Sequence, residues 1–444
     1  MKLNYKRTFL IGLAFMSISA FWTFYDQCIP YILKYTFGKE EVVANSIMAI
    51  DNVLALFLLP LFGMLSDKTH TRFGRRTPYV ALGTLASAVF FGAMALGISL
   101  HAFTLFFIGL FLLLVAMGTY RSPAVSLMPD LTPHSLRSKA NAIINLMGTA
   151  GGAVSLVFTM LLIKSTSSAE EGTIYEANQN YWPVILAVMI FMVLGIVIFL
   201  LTVRERKWRD ELVLRGELDA VEPQKQNEGK GRKMERPVFR SLLFILLSVA
   251  FWYMAYNGVT TSLSRYCKEM LGKGLNESSG FTLVAMVIAA AAFVPIGFLS
   301  SRFGRKKTVL FGVALMLGAF ALASVLQFGV LTDLLLYVIF SAVGIGWAAI
   351  NVNSYPMVVE MSRGADVGKY TGYYYTFSMA AQVFTPVLSG FLISEKYLNF
   401  GYAALFPYAG FFMAAALVCM LFVKHGDSKA EKTSILESLG ADMD

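Results

Sequence analysis

Three ionisable residues, Asp26, Asp51 and Arg121, stand inside long apolar runs from which other charges are excluded. A charge at mid-membrane costs about 2.5–3.5 kcal/mol on insertion scales, so each is expected to border a wet passage or a partner rather than lipid. At about 1.5 Å per helical residue, Asp26 lies roughly 10 Å and Asp51 roughly 12 Å from the same end of their helices. Two carboxylates at one depth can hold a proton between them and release it when a cavity opens, which is the chemistry of proton coupling. Asp26, among Trp22, Phe24 and Tyr25, is the first choice for that role and Asp51 the second. Arg121 lies roughly 9 Å from the opposite end of its helix. It is expected to donate to a substrate, with snorkelling to the surface as the alternative.

The elements that must position these groups follow from composition. The 444 residues are 57% hydrophobic, 14% aromatic and 15% charged. A soluble protein is about 45–50% apolar and about 25% charged, so a soluble enzyme is excluded. Six apolar stretches, each long enough to cross a bilayer as a helix, fall between Thr8 and Val203, and six more between Ser241 and Val423. The expected fold is all-α and integral to the membrane: a six-helix bundle over residues 1–203, a linker over 204–240, a second bundle over 241–424 and a tail over 425–444. A short amphipathic helix is expected in the linker near Trp208 to Leu218.

Lys and Arg set the orientation. With both termini on the cytoplasmic side, the inner segments carry 29 basic residues and the outer loops 7. That asymmetry puts both termini on the cytoplasmic side of what is expected to be the cell (plasma) membrane, and it accounts for the net charge of +9 without nucleic acid, since basic loops face an anionic lipid leaflet. No small-residue cleavage site follows the first apolar run, which is read as a span. The three cysteines fit neither a disulfide framework nor a metal site. No phosphate-binding glycine loop, zinc-binding His pair or nucleophile elbow occurs, so neither cofactor nor metal is expected and the chain is not read as an enzyme.

An internal repeat appears at an offset of 230 residues. Asp130 and Lys139 match Glu360 and Lys369, Arg121 falls on Asn351, RFGRR (72–76) recurs as RFGRK (302–306), and Phe21-Trp22 recurs as Phe251-Trp252. Gly63 to Arg76 reads GMLSDKTHTRFGRR, and Gly297 to Lys306 reads GFLSSRFGRK. This pattern resembles the loop signature of the major facilitator superfamily, and the first copy is similar to that of the glycoside-cation symporters, especially sucrose-proton symporters and their bacterial relatives.

The resemblance implies two pseudo-symmetric six-helix bundles that alternate access to a mid-membrane site. It also implies a cytoplasmic gate made by Gly63, Asp67, Arg72, Gly74, Arg75 and Asp130, with Asp67 held by Arg72 or Arg75 and by the start of the eleventh helix. Ser301 replaces the acid in the second copy, so Arg302, Arg305 and Glu360 are expected to do less, and Arg76 is expected to be ordinary loop charge. Where the resemblance would place coupling acids, this chain has Ala55, Leu59 and Leu114, so the coupling residue has moved, to Asp26 or Asp51, or coupling is absent; without a sodium-binding acidic pair, protons are favoured over sodium.

The second half offers Asn257, Asn351, Asn353 and Gln382 beside Trp252, Tyr256 and Tyr374. With Trp22, Tyr25 and Arg121 these form the expected substrate set. Amides exchange hydrogen bonds with sugar hydroxyls, and aromatic rings cover the apolar faces of a pyranose. The expected function is proton-coupled import of a glucoside or disaccharide by a monomer. The alternatives are a proton-antiport exporter of an amphipathic compound, for which 36 Phe and 22 Met would suit the pocket, and a sugar sensor that does not transport.

Overall fold

In lipid a backbone has no water to bond, so runs this apolar must close their hydrogen bonds within a helix. The computed structural model describes residues 4–133, 136–163, 179–215, 236–329, 331–361 and 367–427. Most of the linker, the tail beyond 427 and the side chains of Lys139 and Lys369 lie outside the described residues.

The helices are α1 (Tyr5–Tyr35), α2 (Glu41–Lys68), α3 (Thr77–Ser99), α4 (Phe103–Asp130), α5 (Arg137–Leu162), α6 (Trp182–Thr202), α7 (Glu205–Leu214), α8 (Arg236–Leu271), α9 (Leu275–Phe303), α10 (Arg305–Leu326), α11 (Asp333–Glu360), α12 (Val367–Ile393) and α13 (Leu405–Phe422). Among the described residues, twelve of these are long and apolar enough to span a bilayer, all but the ten-residue α7.

Two elements differ from expectation. The helix expected to stop at Leu263 continues for two more turns to Leu271, across the polar segment Ser264 to Glu269. The amphipathic helix of the linker begins earlier, at Glu205, and buries Trp208 and Leu212 on one face.

The chain divides into two compact units. The first comprises Met1–Pro223, Thr260–Leu283 and Gly390–Tyr402. Its core is the aromatic face of α1, where Phe21 and Phe24 meet Phe91 of α3 edge-on at 5.7 and 5.1 Å. α5 approaches α1 closely at Gly151, where a Cβ would collide with the Met16 backbone. The second unit comprises Gln224–Val259, Val284–Ser389 and Ala403–Asp444. There α10 packs closely on α11 at Gly312, where a Cβ would collide with the Gly346 carbonyl and Ala349, and the Ser248 hydroxyl ties α8 to the Ala416 carbonyl of α13 at 2.6 Å.

Candidate functional site

Within the first unit, α1, α2 and α4 bring Asp26, Asp51 and Arg121 together. Arg121 interacts electrostatically with both carboxylates, and the carboxylates with each other. All three side chains remain partly accessible. The guanidinium of Arg121 lies 5.1 Å from the centre of the Trp22 ring, a cation–π contact that fixes it along α1. Trp22 is braced edge-on by Tyr25 at 5.4 Å. The Asn52 side chain donates to Asp51 at 2.8 Å. With both acids ionised, two carboxylates against one cation leave one negative charge, which a single proton would cancel. Tyr25 itself is buried, its hydroxyl donating to the Met48 carbonyl at 3.3 Å.

In the second unit the expected sugar-binding residues fall into two groups. Tyr256 stacks on Trp347 at 3.9 Å with an interplanar angle of 7°. Asn257, next to Tyr256 in the chain, donates to the Tyr253 carbonyl, Asn351 to that of Trp347 and, on α12, Gln382 to that of Ser378. The other group is enclosed. Trp252 is fully buried, Asn353 is tied to the Ser300 hydroxyl and to the Ala349 carbonyl, and the Tyr374 hydroxyl bonds Ser354 at 2.9 Å. Sequence gave no sign of Trp347, whose role depends on Tyr256 standing against it.

At the end of the first unit where α2 finishes and α3 begins, Arg75 reaches Asp130 at 2.6 Å and Asp67 at 3.8 Å. Arg76, expected to be loop charge, is instead the buried centre of this cluster. It pairs with Asp67, reaches Asp130 at 3.0 Å and donates to the Gly63 carbonyl at 3.1 Å. Of the two arginines expected to hold Asp67, Arg75 reaches it, while Arg72 is exposed and lies over Phe73. Glu205 was not foreseen. Its carboxylate accepts from the backbone N–H groups of Arg75, Arg76 and Thr77 at 2.8–3.1 Å and so caps α3. Gly74, at φ 122°, turns the chain into that cap, and a Cβ there would run into Glu205.

The second unit repeats the device. Gly304 has φ 97°, and Asp427 accepts from the Lys306 N–H at 3.2 Å at the start of α10. Arg305 pairs with Glu360, so this copy holds an ion pair despite Ser301, while Arg302 rests over Phe303.

A second charged cluster was invisible in the sequence. It sits in the first unit, at the end where α1 finishes and α2 begins. Arg265, fully buried on the extended part of α8, donates to Glu41 at 2.5 Å and to Asn45 at 2.8 Å. Lys34 reaches Glu41 at 3.1 Å and Glu269 at 2.8 Å, and the Tyr402 hydroxyl donates to Glu41. Arg265 stands two residues beyond the apolar run that ends at Leu263, on the polar extension of α8.

Helical spans in two repeated sets, loops built on one motif and a half-buried charge triad define a multi-pass membrane protein with an internal repeat. The family model of the Major Facilitator Superfamily matches residues 7–295 and 274–439, and the chain belongs to that superfamily. It is 22% identical over 323 residues to the isoprimeverose transporter of Lactiplantibacillus pentosus, covering 69% of this chain and 60% of that one. It is 27% identical over 150 residues to the sucrose transport protein SUC3 of Arabidopsis thaliana, covering 28% and 25%. The chain thus spans a quarter to three fifths of the length of these relatives. An inward-open structure of the xylose transporter XylE from E. coli superposes with a TM-score of 0.66 over 97% of this chain and 98% of that one, at 15% identity, a likeness of fold.

Proposed function

We propose that this protein is a secondary active transporter that imports a sugar, a glucoside or disaccharide, together with a proton, by alternating access. The observation that carries the reading is the triad: Asp26 and Asp51, on different helices, interact electrostatically with Arg121, and with both carboxylates ionised the group carries one net negative charge that a proton would cancel. Burial in a low-dielectric span makes the charged and neutral forms differ strongly in energy, so proton binding can be tied to a change of state. In the proposed cycle Asp26 is the principal proton acceptor, with Asp51 sharing the proton. In the first unit Arg121 and Trp22 are the proposed substrate contacts; in the second, Tyr256 and the amides of Asn257, Asn351 and Gln382 are the groups suited to a sugar ring and its hydroxyls. The sugar-transporting relatives support the substrate class. The basic excess at the α2–α3 end supports a plasma-membrane orientation with that end and both termini cytoplasmic.

The test is uptake of labelled sucrose, maltose and isoprimeverose into proteoliposomes. Uptake of at least one sugar should rise severalfold under an inward proton gradient and collapse when a protonophore is added. Uptake indifferent to the gradient would remove the coupling, and binding without flux would turn the reading into that of a sensor.

A further inference from the structure

The α2–α3 loop and α7 wall a cavity of about 750 Å³ in the first unit. Its lining carries Arg72, Arg75, Arg206 and Arg209 against Glu205 and Asp210. Two of these charges are already spent, since Glu205 caps α3 and Arg75 holds Asp130. Arg72, Arg206 and Arg209 then face the lone Asp210, so the groove keeps a positive excess.

Its depth is fixed by covalent connection. α6 ends at Thr202 and α7 begins three residues later at Glu205, while α2 ends at Lys68 and α3 begins at Thr77. The groove therefore lies at the ends of spanning helices, at the level of lipid headgroups. Apolar side chains flank it: Leu214 is 87% exposed and Phe73 56%. The floor is preformed, because Trp208 and Leu212 anchor α7, Arg7 lies 4.9 Å over the Trp208 ring, and Arg7 pairs with Glu211 at 2.5 Å. The Arg7 hydrogen bond also holds the Glu211 carboxyl below its ordinary range.

We propose that this groove binds the phosphate of an anionic glycerophospholipid. Arg72, Arg206 and Arg209 take the phosphate oxygens through charge-assisted hydrogen bonds, and Phe73 and Leu214 rest against the glycerol and upper acyl region. A soluble phosphate ester would use the same cations, but it has no use for two exposed apolar side chains at headgroup depth. The assignment does not depend on the transported solute.

The test is native mass spectrometry of the full chain released from micelles holding equal phosphatidylglycerol and phosphatidylcholine. The wild type should retain phosphatidylglycerol in preference. Arg72→Gln and Arg206→Gln, both at exposed positions, should each lower that preference by about fivefold, the worth of one basic residue near an anionic surface. Arg302→Gln, in the equivalent loop of the other unit, should leave it unchanged, and millimolar inorganic phosphate should fail to displace the lipid. Equal retention of both lipids by the wild type, an equal effect of Arg302→Gln, or displacement by inorganic phosphate would each overturn the assignment.

Discussion

At the residue scale, function concentrates where charge is rarest. Asp26, Asp51 and Arg121 were conspicuous in the sequence because an intramembrane charge is costly, and that same cost accounts for their grouping in the first unit. What the sequence could not reveal was that Arg121 also lies over Trp22, since a cation–π contact between α1 and α4 depends on helix packing. Asp26→Asn removes the titrating group but keeps its shape. It should abolish gradient-driven uptake while sparing exchange of labelled for unlabelled sugar across the membrane, and loss of exchange as well would refute a coupling role. Arg76 teaches the opposite lesson. It reads as one basic residue among several in a loop, yet its guanidinium is buried between Asp67 and Asp130. Arg76→Ala should destabilise the protein by about 2–3 kcal/mol, because Arg75 still covers Asp130 in part. Arg72→Ala, on the exposed side of the same loop, should stay within about 0.5 kcal/mol. Thermal melting in detergent compares the two.

At the element scale, the twelve spans were legible because hydropathy reports the requirement that lipid imposes on the backbone, and their ends fell within a few residues of expectation. α8 is the exception. Ser264 to Glu269 is polar enough to read as loop, and it is helical here because Arg265 finds Glu41, 224 positions away in the chain. No local pattern could signal that partner. The caps on α3 and α10 were missed for a related reason. Glu205 and Asp427 do not fall at the 230-residue offset of the repeat, although an acid shortly after the last span of each half was there to be noticed. The loop glycines were legible, and their positive φ explains why the RFGR motif needs them. Gly74→Ala forces an L residue into that conformation and drives its Cβ into Glu205. It should cost more than Glu205→Ala, which forfeits the cap alone at about 1–2 kcal/mol. A melting experiment in which Gly74→Ala proved the milder change would show that the loop can rearrange.

For the whole molecule, the cluster around Arg265 decides between stability and motion. A buried ion pair is a poor way to gain stability, since well-packed apolar residues of similar volume often do as well or better. Breaking it from one side is another matter. Arg265→Met leaves Glu41 enclosed with only Lys34 and Tyr402 for support, and should cost about 3–5 kcal/mol. The double variant Arg265→Met/Glu41→Leu removes both charges and should recover most of that loss. In the proposed cycle this end of the first unit must open to admit sugar. A pair of charges can be rehydrated as it separates, whereas an apolar seam exposed to water opposes opening. The double variant should therefore melt close to the wild type yet transport more slowly. If it instead melts as low as Arg265→Met, the charges serve folding rather than opening. If it transports at the wild-type rate, the cluster plays no part in the cycle. Melting temperature and initial uptake rate, measured on the same preparations, separate these outcomes.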